Sequence, residues 1–423
     1  MISKLSRFPK LSLTLNAKRC LSHTTPVTSL LSIYNQPKIT FIKGKGMILT
    51  DNDGNNYLDM TAGIAVNALG HSDPKISQIL YQQSQELIHL SNLYQHPHSI
   101  ELSDRLIQYS NNDFDKVFIC NSGTEATEAA LKFSRKYQYI KCGNKSEKFN
   151  FISFKNAFHG RSMGALSVTG NQKYQLAFEP LVPGVKQLEL NCSLEILEKS
   201  LGKDSNVGGV IVEPIQGEGG IHIASYEFLK NLRKVCDKND VLLIYDEIQC
   251  GLGRSGKLWS YQHYENVKPD ILNCAKPLGN GIPIGATLVN SKVGDCIHVG
   301  DHGTTFGGNP LACAVANYVV SRINEKEFLN NVDMMGEYLI SELCLLQNQY
   351  ASIIKEVRGK GLMIGVEIHK GFDAKQIVQL GLDLGMLIIT CGENTIRIVP
   401  PLIINQEYSD QFLKIFKQIL NKL

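Results

Sequence analysis

The chain has no apolar run of membrane-spanning length, which excludes a helical membrane span. Its 11 cysteines are odd in number and never spaced as CxxC. Neither a disulfide framework nor a zinc cluster is therefore expected, and the thiols read as small buried groups of a reducing compartment. Charge is nearly balanced: the net value of +3 over 423 residues is too small to argue for a nucleic-acid partner. There is no internal repeat and no low-complexity linker.

A further absence is local. No acid precedes Asp51, whereas Lys4, Arg7, Lys10, Lys18, Arg19, Lys38, Lys43 and Lys45 all do. The opening MISKLSRFPKLSLTLNAKRCLSHTT is basic, rich in Ser and Leu, and lacks the apolar centre of a secretory signal. This is the profile of a mitochondrial transit peptide, expected over residues 1–21, with the mature chain starting near Ser22 in the matrix.

What remains has the composition of a globular protein, 43% hydrophobic and 20% charged, and its length implies about two domains. Short continuous apolar runs recur: VFIC (117–120), FNFISF (149–154), GVIV (209–212), VLLIY (241–245) and ILNCA (271–275). Runs of this kind, as opposed to alternating ones, mark strands covered on both faces, and strand–helix–strand spacing predicts a mainly parallel sheet. After Asn309 the pattern changes. A long apolar helix (PLACAVANYVVSRI) leads to a helix near 332–347, paired strands around Gly359–Gly361, a helix near 373–384, strands MLIIT and TIRIV, and a last helix from about Tyr408. Residues 38–60 read as strands joined by a DNDGN turn and are expected to join that later part. The predicted organisation is α/β: a large domain with a mainly parallel sheet over 76–310, and a smaller α+β domain made from 28–75 and 311–423.

Three of the runs end on Glu213, Asp246 and Lys276, 33 and 30 residues apart. In open α/β sheets ligands sit beyond the carboxyl ends of the strands, so an acid and an amine meet where chemistry is done. A lysine able to form a Schiff base and an aspartate able to face a pyridinium nitrogen are what pyridoxal 5′-phosphate (PLP) requires. Other segments add to this. NSGTEATEAALKF (121–133) has capping-box spacing at Ser122 and Glu125 and offers a helix N-terminus, with Gly123 allowing close approach, to a phosphate. FHGR (158–161) sets an aromatic ring beside a guanidinium, although Phe is more often core, Arg more often solvated, and His159 more often a structural hydrogen-bonder. VEPIQGEGG carries Glu213 and Glu218 on a glycine-rich loop, and TIRIVPPL places Arg397 in an apolar strand, where it must face solvent or an anion. GLGRSG (251–256) imitates nucleotide-binding loops but opens no first βαβ unit, and Leu258 stands where a P-loop needs Ser or Thr.

Together SGTEA, FHGR, EPIQGEGG, DEIQCGLGRSG, AKPLGNGIPIGA, GTTFGGNP and RGKGLMIGVE resemble the class III, fold-type I PLP-dependent aminotransferases, in family order from about Tyr57 to Pro401. The segment YLDMTAGIAVNALGHSDPKI (57–76) is similar to the subgroup acting on N²-acetylornithine. The resemblance implies that Lys276 is the Schiff-base lysine and moves the proton, and that Asp246 pairs with the ring nitrogen. It implies that Gln249 bonds the ring hydroxyl, Phe158 and Ile248 sandwich the ring, and Gly123 and Thr124 hold the phosphate. Thr305 would reach the phosphate of a neighbouring subunit, which makes the enzyme a homodimer with shared sites. Arg161 would hold the carboxylate of the acylated ornithine, and Arg397 the α-carboxylate of glutamate or 2-oxoglutarate, with Glu218 covering Arg397 between turns. Cys250 and Asp73 depart from many relatives without touching these roles.

The implied reaction is N²-acetyl-L-ornithine + 2-oxoglutarate ⇌ N-acetyl-L-glutamate 5-semialdehyde + L-glutamate, a step of arginine biosynthesis. Other ω-aminotransferases, acting on ornithine, 4-aminobutyrate or succinylornithine, would share fold and cofactor; Ile64, where free-ornithine enzymes carry a tyrosine, speaks against ornithine. A PLP racemase, mutase or decarboxylase would not transfer the amino group to 2-oxoglutarate. A silent binding protein would lack a reducible chromophore.

Overall fold

The computed structural model describes residues 29–145, 147–202 and 205–423. The expected transit segment and its cleavage point near Ser22 lie outside them. Residues 29–40 stand as a unit of their own, without helix or strand. The second unit is Phe41–Leu423.

A seven-stranded sheet forms its centre. In spatial order the strands are Lys116–Cys120, Gly285–Val289, Ile271–Cys274, Leu242–Asp246, Val207–Val212, Asn150–Phe154 and Val185–Leu188. All neighbours run parallel except Gly285–Val289, which is antiparallel to both of its partners. The five apolar runs singled out in the sequence all lie in this sheet, and Val207–Val212, Leu242–Asp246 and Ile271–Cys274 are buried at every position. Each Val, Leu or Ile so buried contributes roughly 1.5–3 kcal/mol. The sequence reading missed Gly285–Val289 and the edge strand Val185–Leu188.

The helix Gly123–Lys141 crosses the sheet on a face of Ala126, Ala129, Ala130 and Phe133, all buried. Small residues at that spacing let the helix lie close to the strands, and a larger side chain at Ala130 would overpack the contact by about 1–3 kcal/mol. The apolar segment after Asn309 is the helix Pro310–Ile323, capped by the Asn309 side chain on the Ala312 N–H.

Two four-stranded sheets flank this centre in sequence. One joins Phe41–Lys45, Ile48–Asp51 and Asn56–Asp59 to Met386–Leu387, so the early strands do pair with the late part of the chain. The other orders Ile354–Lys360, Met363–Ile368, Thr395–Ile398 and Ile389–Cys391, antiparallel throughout. The predicted helices are found at Lys326–Gln349, Ala374–Asp383 and Gln406–Leu420.

Candidate active site

The carboxyl ends of the co-directional strands converge on a cavity of about 430 Å³. Asn121–Thr124 follow Lys116–Cys120, Phe158–Arg161 follow Asn150–Phe154, Glu213 follows Val207–Val212, Asp246 ends its own strand, and Lys276 follows Ile271–Cys274. Parallel pairing makes this convergence unavoidable, because each strand delivers its loop to the same edge.

On the floor, Asp246 and Lys276 share the lining. The Asp246 Oδ1 accepts the Ile248 N–H at 3.1 Å, and its Oδ2 lies 2.7 Å from His159 Nδ1. Both side chains are buried, and His159 Nε2 has no partner among the described residues. The sequence offered His159 only as a structural hydrogen-bonder; its service to Asp246 joins positions 87 residues apart and leaves no periodic trace. The Lys276 amine is pushed down to about 8, chiefly by burial and next by the Arg397 guanidinium, against the pull of Glu213, Asp246 and Glu218. Glu213 is buried; burial raises its carboxyl, the His159 side chain opposes that, and Asp246 adds to it. It accepts the N–H groups of Phe158 at 2.8 Å and Gly217 at 2.9 Å.

At one wall the helix Gly123–Lys141 begins. Its cap, Ser122, accepts the Glu125 N–H through its hydroxyl, while the Glu125 carboxylate reaches back to Asn121 and not to Ser122 as a regular capping box would. The N–H groups of Gly123 and Thr124 have no acceptor among the described residues. A Cβ on Gly123 would come within 2.8 Å of the Ile248 side chain, so only glycine leaves the approach open. The Thr124 hydroxyl lies 3.1 Å from Ser162 Oγ, which in turn donates to Glu128.

These features fit pyridoxal phosphate. Free N–H groups at a helix N-terminus suit a phosphate dianion. A buried carboxylate held from two sides suits a protonated ring nitrogen. Phe158 and Ile248 line the same space, as does Gln249, whose Oε1 accepts from Arg397 Nη1 at 3.2 Å.

Arg161 lines the cavity and is exposed, its guanidinium 4.1 Å from the centre of the Tyr174 ring and 5.6 Å from that of Phe158. Arg397 is buried in Thr395–Ile398 and pairs with Glu218 at 2.9 Å. The apolar strand therefore turns its arginine toward an acid, not toward solvent. Tyr174, which the sequence reading did not single out, donates to the other Glu218 oxygen at 3.0 Å.

Four expected positions lie outside the cavity lining: Glu218 and Arg397, which reach it through Gln249, and Thr305 and Ile64. Thr305 is exposed, on the loop whose Thr304 hydroxyl accepts from Asn121. Ile64 is 46% exposed, and its segment contributes Val66 to the cavity wall.

Comparison with known proteins agrees over nearly the whole chain. Residues 32–420 match the family model Aminotransferase class-III. A curated relative, the mitochondrial acetylornithine aminotransferase of Debaryomyces hansenii, is 46% identical over 406 residues, covering 95% of this chain and 86% of that one. Among solved structures, the N-acetylornithine aminotransferase of Stenotrophomonas maltophilia superposes with a TM-score of 0.79 at 33% identity, covering 92% and 96% of the two chains. The ornithine aminotransferase of Toxoplasma gondii, whose structure reveals partial occupancy of PLP, gives 0.86 at 32% identity, covering 93% and 92%.

Proposed function

The chain belongs to the class-III aminotransferases, and from that membership we propose that it moves the terminal amino group of N²-acetyl-L-ornithine to 2-oxoglutarate. The products are N-acetyl-L-glutamate 5-semialdehyde and L-glutamate, and the step belongs to arginine biosynthesis. The observation that carries the reading is that Arg161 lines the cavity holding Lys276 and Asp246, while a second arginine, Arg397, meets the lining residue Gln249 and is paired with Glu218.

The cofactor is pyridoxal 5′-phosphate. When bound, it supplies the electron sink that lets a proton leave the carbon bearing the amine. In our assignment Gly123 and Thr124 hold its phosphate, Phe158 and Ile248 its ring faces, Gln249 its hydroxyl, Asp246 its ring nitrogen and Lys276 its carbonyl carbon. With the cofactor bound, the freed Lys276 amine would take the proton from the substrate carbon and hold it for the 1,3-shift. An amine poised near 8 suits both directions of that transfer.

In the first half-reaction Arg161 holds the carboxylate of the acylated ornithine, Glu218 stays on Arg397, and the terminal amine reaches the cofactor. In the second, the α-carboxylate of 2-oxoglutarate replaces Glu218 on Arg397 while its distal carboxylate takes Arg161. The same reading assigns 76–310 to the cofactor-binding domain and 28–75 with 311–423 to the smaller one. The seven-stranded sheet falls within the first range and the antiparallel sheet of Ile354–Lys360 within the second.

The fold does not separate acetylornithine from ornithine, since enzymes of both names superpose well. Chemistry does. A free α-ammonium without a partner costs several kcal/mol to bury, and an acetamide is neutral. With 2-oxoglutarate as acceptor, kcat/KM for N²-acetylornithine should exceed that for ornithine by at least about a hundredfold, or about 2.7 kcal/mol. 4-Aminobutyrate, which leaves the acyl space empty, should also trail. Equal or better use of either rival would sink the assignment.

The working form in this reading is a homodimer in which Thr305 of each copy completes the phosphate site of the other. Support comes from exposed Leu93, Tyr94, Val299 and Phe306 near Thr305 in sequence or across the Asn92–Thr304 bond. The mitochondrial name of the D. hansenii relative and the acid-free N-terminus support residence in the matrix. A reporter fused to residues 1–30 should be imported; cytosolic retention would count against it.

A further inference from the structure

The two arginines assigned to substrate carboxylates sit on different elements, and one side chain connects them. Tyr174 lies in the short turn Gln172–Gln175. Its ring sits under the Arg161 guanidinium at 4.1 Å and meets the Phe158 ring edge-on at 5.8 Å. Its hydroxyl donates to Glu218 Oε1 at 3.0 Å, and Glu218 Oε2 accepts from Arg397 Nη2 at 2.9 Å. No other donor reaches Oε1, and no acid pairs with Arg161, among the described residues.

The turn is well anchored. Asn171 caps it on the Lys173 N–H, and the buried Gln175 amide donates to the carbonyls of Leu166 and Thr169. Burial and the neighbouring Glu218 carboxylate raise the tyrosine hydroxyl, so it remains a donor throughout the working pH range. A phenol on a fixed turn is a preorganised support: it loses little freedom on holding its partners.

We propose that Tyr174 is the positioning residue shared by both carboxylate sites. Its ring orients Arg161 for the distal carboxylate, and its hydroxyl holds Glu218 across Arg397. Tyr174 thereby sets how readily an α-carboxylate displaces Glu218, and so the balance between the two half-reactions. The proposal rests on the roles of Arg161, Glu218 and Arg397 given above.

Glutarate is a suitable probe: it is a five-carbon diacid with a carboxylate at each end and no amine. Its affinity for the holoenzyme can be titrated calorimetrically, independently of turnover. Tyr174→Phe keeps the ring and removes only the hydroxyl. It should tighten glutarate binding about three- to tenfold, the effect of losing one hydrogen bond that holds Glu218 closed. It should also raise transfer from glutamate relative to transfer from the ω-amine donor. In the Glu218→Ala background the same change should have no further effect, because the hydroxyl acts through that carboxylate. Tyr174→Leu should bind glutarate about two- to fivefold more weakly than Tyr174→Phe, since Arg161 then loses its aromatic support.

Unchanged glutarate affinity in Tyr174→Phe would overturn the proposal, as would an equal shift with and without Glu218. Tyr174→Leu binding glutarate like Tyr174→Phe would remove the Arg161 part. The wild-type donor comparison judges the acetylornithine reading separately, because glutarate reports on the two arginines whichever ω-amine is used.

Discussion

His159 Nδ1 stands 2.7 Å from Asp246 Oδ2, with both side chains buried and the other His159 nitrogen without a partner among the described residues. The second Asp246 oxygen is fixed by the Ile248 N–H. A carboxylate gripped on both oxygens cannot swing away when the cofactor leaves, so the site is organised before it is filled. Glu213 lies close enough to raise the cost of a second carboxylate charge, and its own carboxyl is raised by burial and then by Asp246.

Asp246→Asn should fold, because the volume is matched, and should lower kcat by at least about a hundredfold through loss of a preorganised charge. The amide can still accept from Ile248, so the measurement separates charge from geometry. Near-wild-type turnover would mean that the carboxylate does not face the ring nitrogen.

Lys276 should also be recognisable without its cofactor. An amine lowered from 10.5 to about 8 is mostly charged at neutral pH and mostly free one unit above its midpoint. Acylation of Lys276 in the apoenzyme, followed by peptide mapping, should therefore rise about tenfold per pH unit below 8 and level off above it. Loading with PLP should protect this residue, and borohydride treatment of the holoenzyme should leave its label there. A midpoint near that of ordinary lysines would contradict the effect of burial.

Much of this was legible in the chain. Continuous apolar runs located five strands of the central sheet, since strands covered on both faces need apolar residues at every position. Val185–Leu188 escaped because an edge strand reading VKQL carries polar residues, and Gly285–Val289 because it follows directly on a Gly- and Pro-punctuated loop. The placement of Asp246 and Lys276 could be read because both sit at strand ends. The contacts of His159 and Tyr174 could not, since they depend on loops brought together only by the sheet order.

The sequence also hid a strained turn. Ala62, Gly63, Ile64 and Ala65 all have positive φ, at 49°, 62°, 67° and 61°, and form a single left-handed turn closed by bonds from Ala65 to Thr61 and Val66 to Ala62. Only one of the four is glycine, and a β-branched residue there is costly, roughly 1–2 kcal/mol. The turn presents Val66 to the cavity, a place where strain is commonly kept. Ile64→Gly should relieve it and, after the larger chain entropy of glycine, stabilise the holoenzyme by about 0.5–1 kcal/mol. A fall in Tm would show that the Ile64 side chain contributes more than its conformation costs.

The pair Glu218–Arg397 gives the sharpest test of dual substrate use. Arg397 is buried, and among the described residues its charge is answered only by Glu218, with Gln249 accepting from the other terminal nitrogen. Glu218→Ala leaves that guanidinium without its acid, and an α-carboxylate then binds without first displacing a competitor. Single-turnover transfer from glutamate should accelerate relative to transfer from N²-acetylornithine, and acetylornithine should bind more often in the wrong orientation, by its own carboxylate on Arg397. Arg161→Ala should behave differently. Arg161 is exposed in the single chain, so its loss should weaken both five-carbon carboxylate substrates by about 1.5–3 kcal/mol, the range for a hydrogen bond to a charged group. A ratio of half-reaction rates that moves with Glu218 but not with Arg161 fits a gate over one arginine and a shared anchor at the other. An unchanged ratio in Glu218→Ala would leave the carboxylate a structural partner of Arg397 and nothing more.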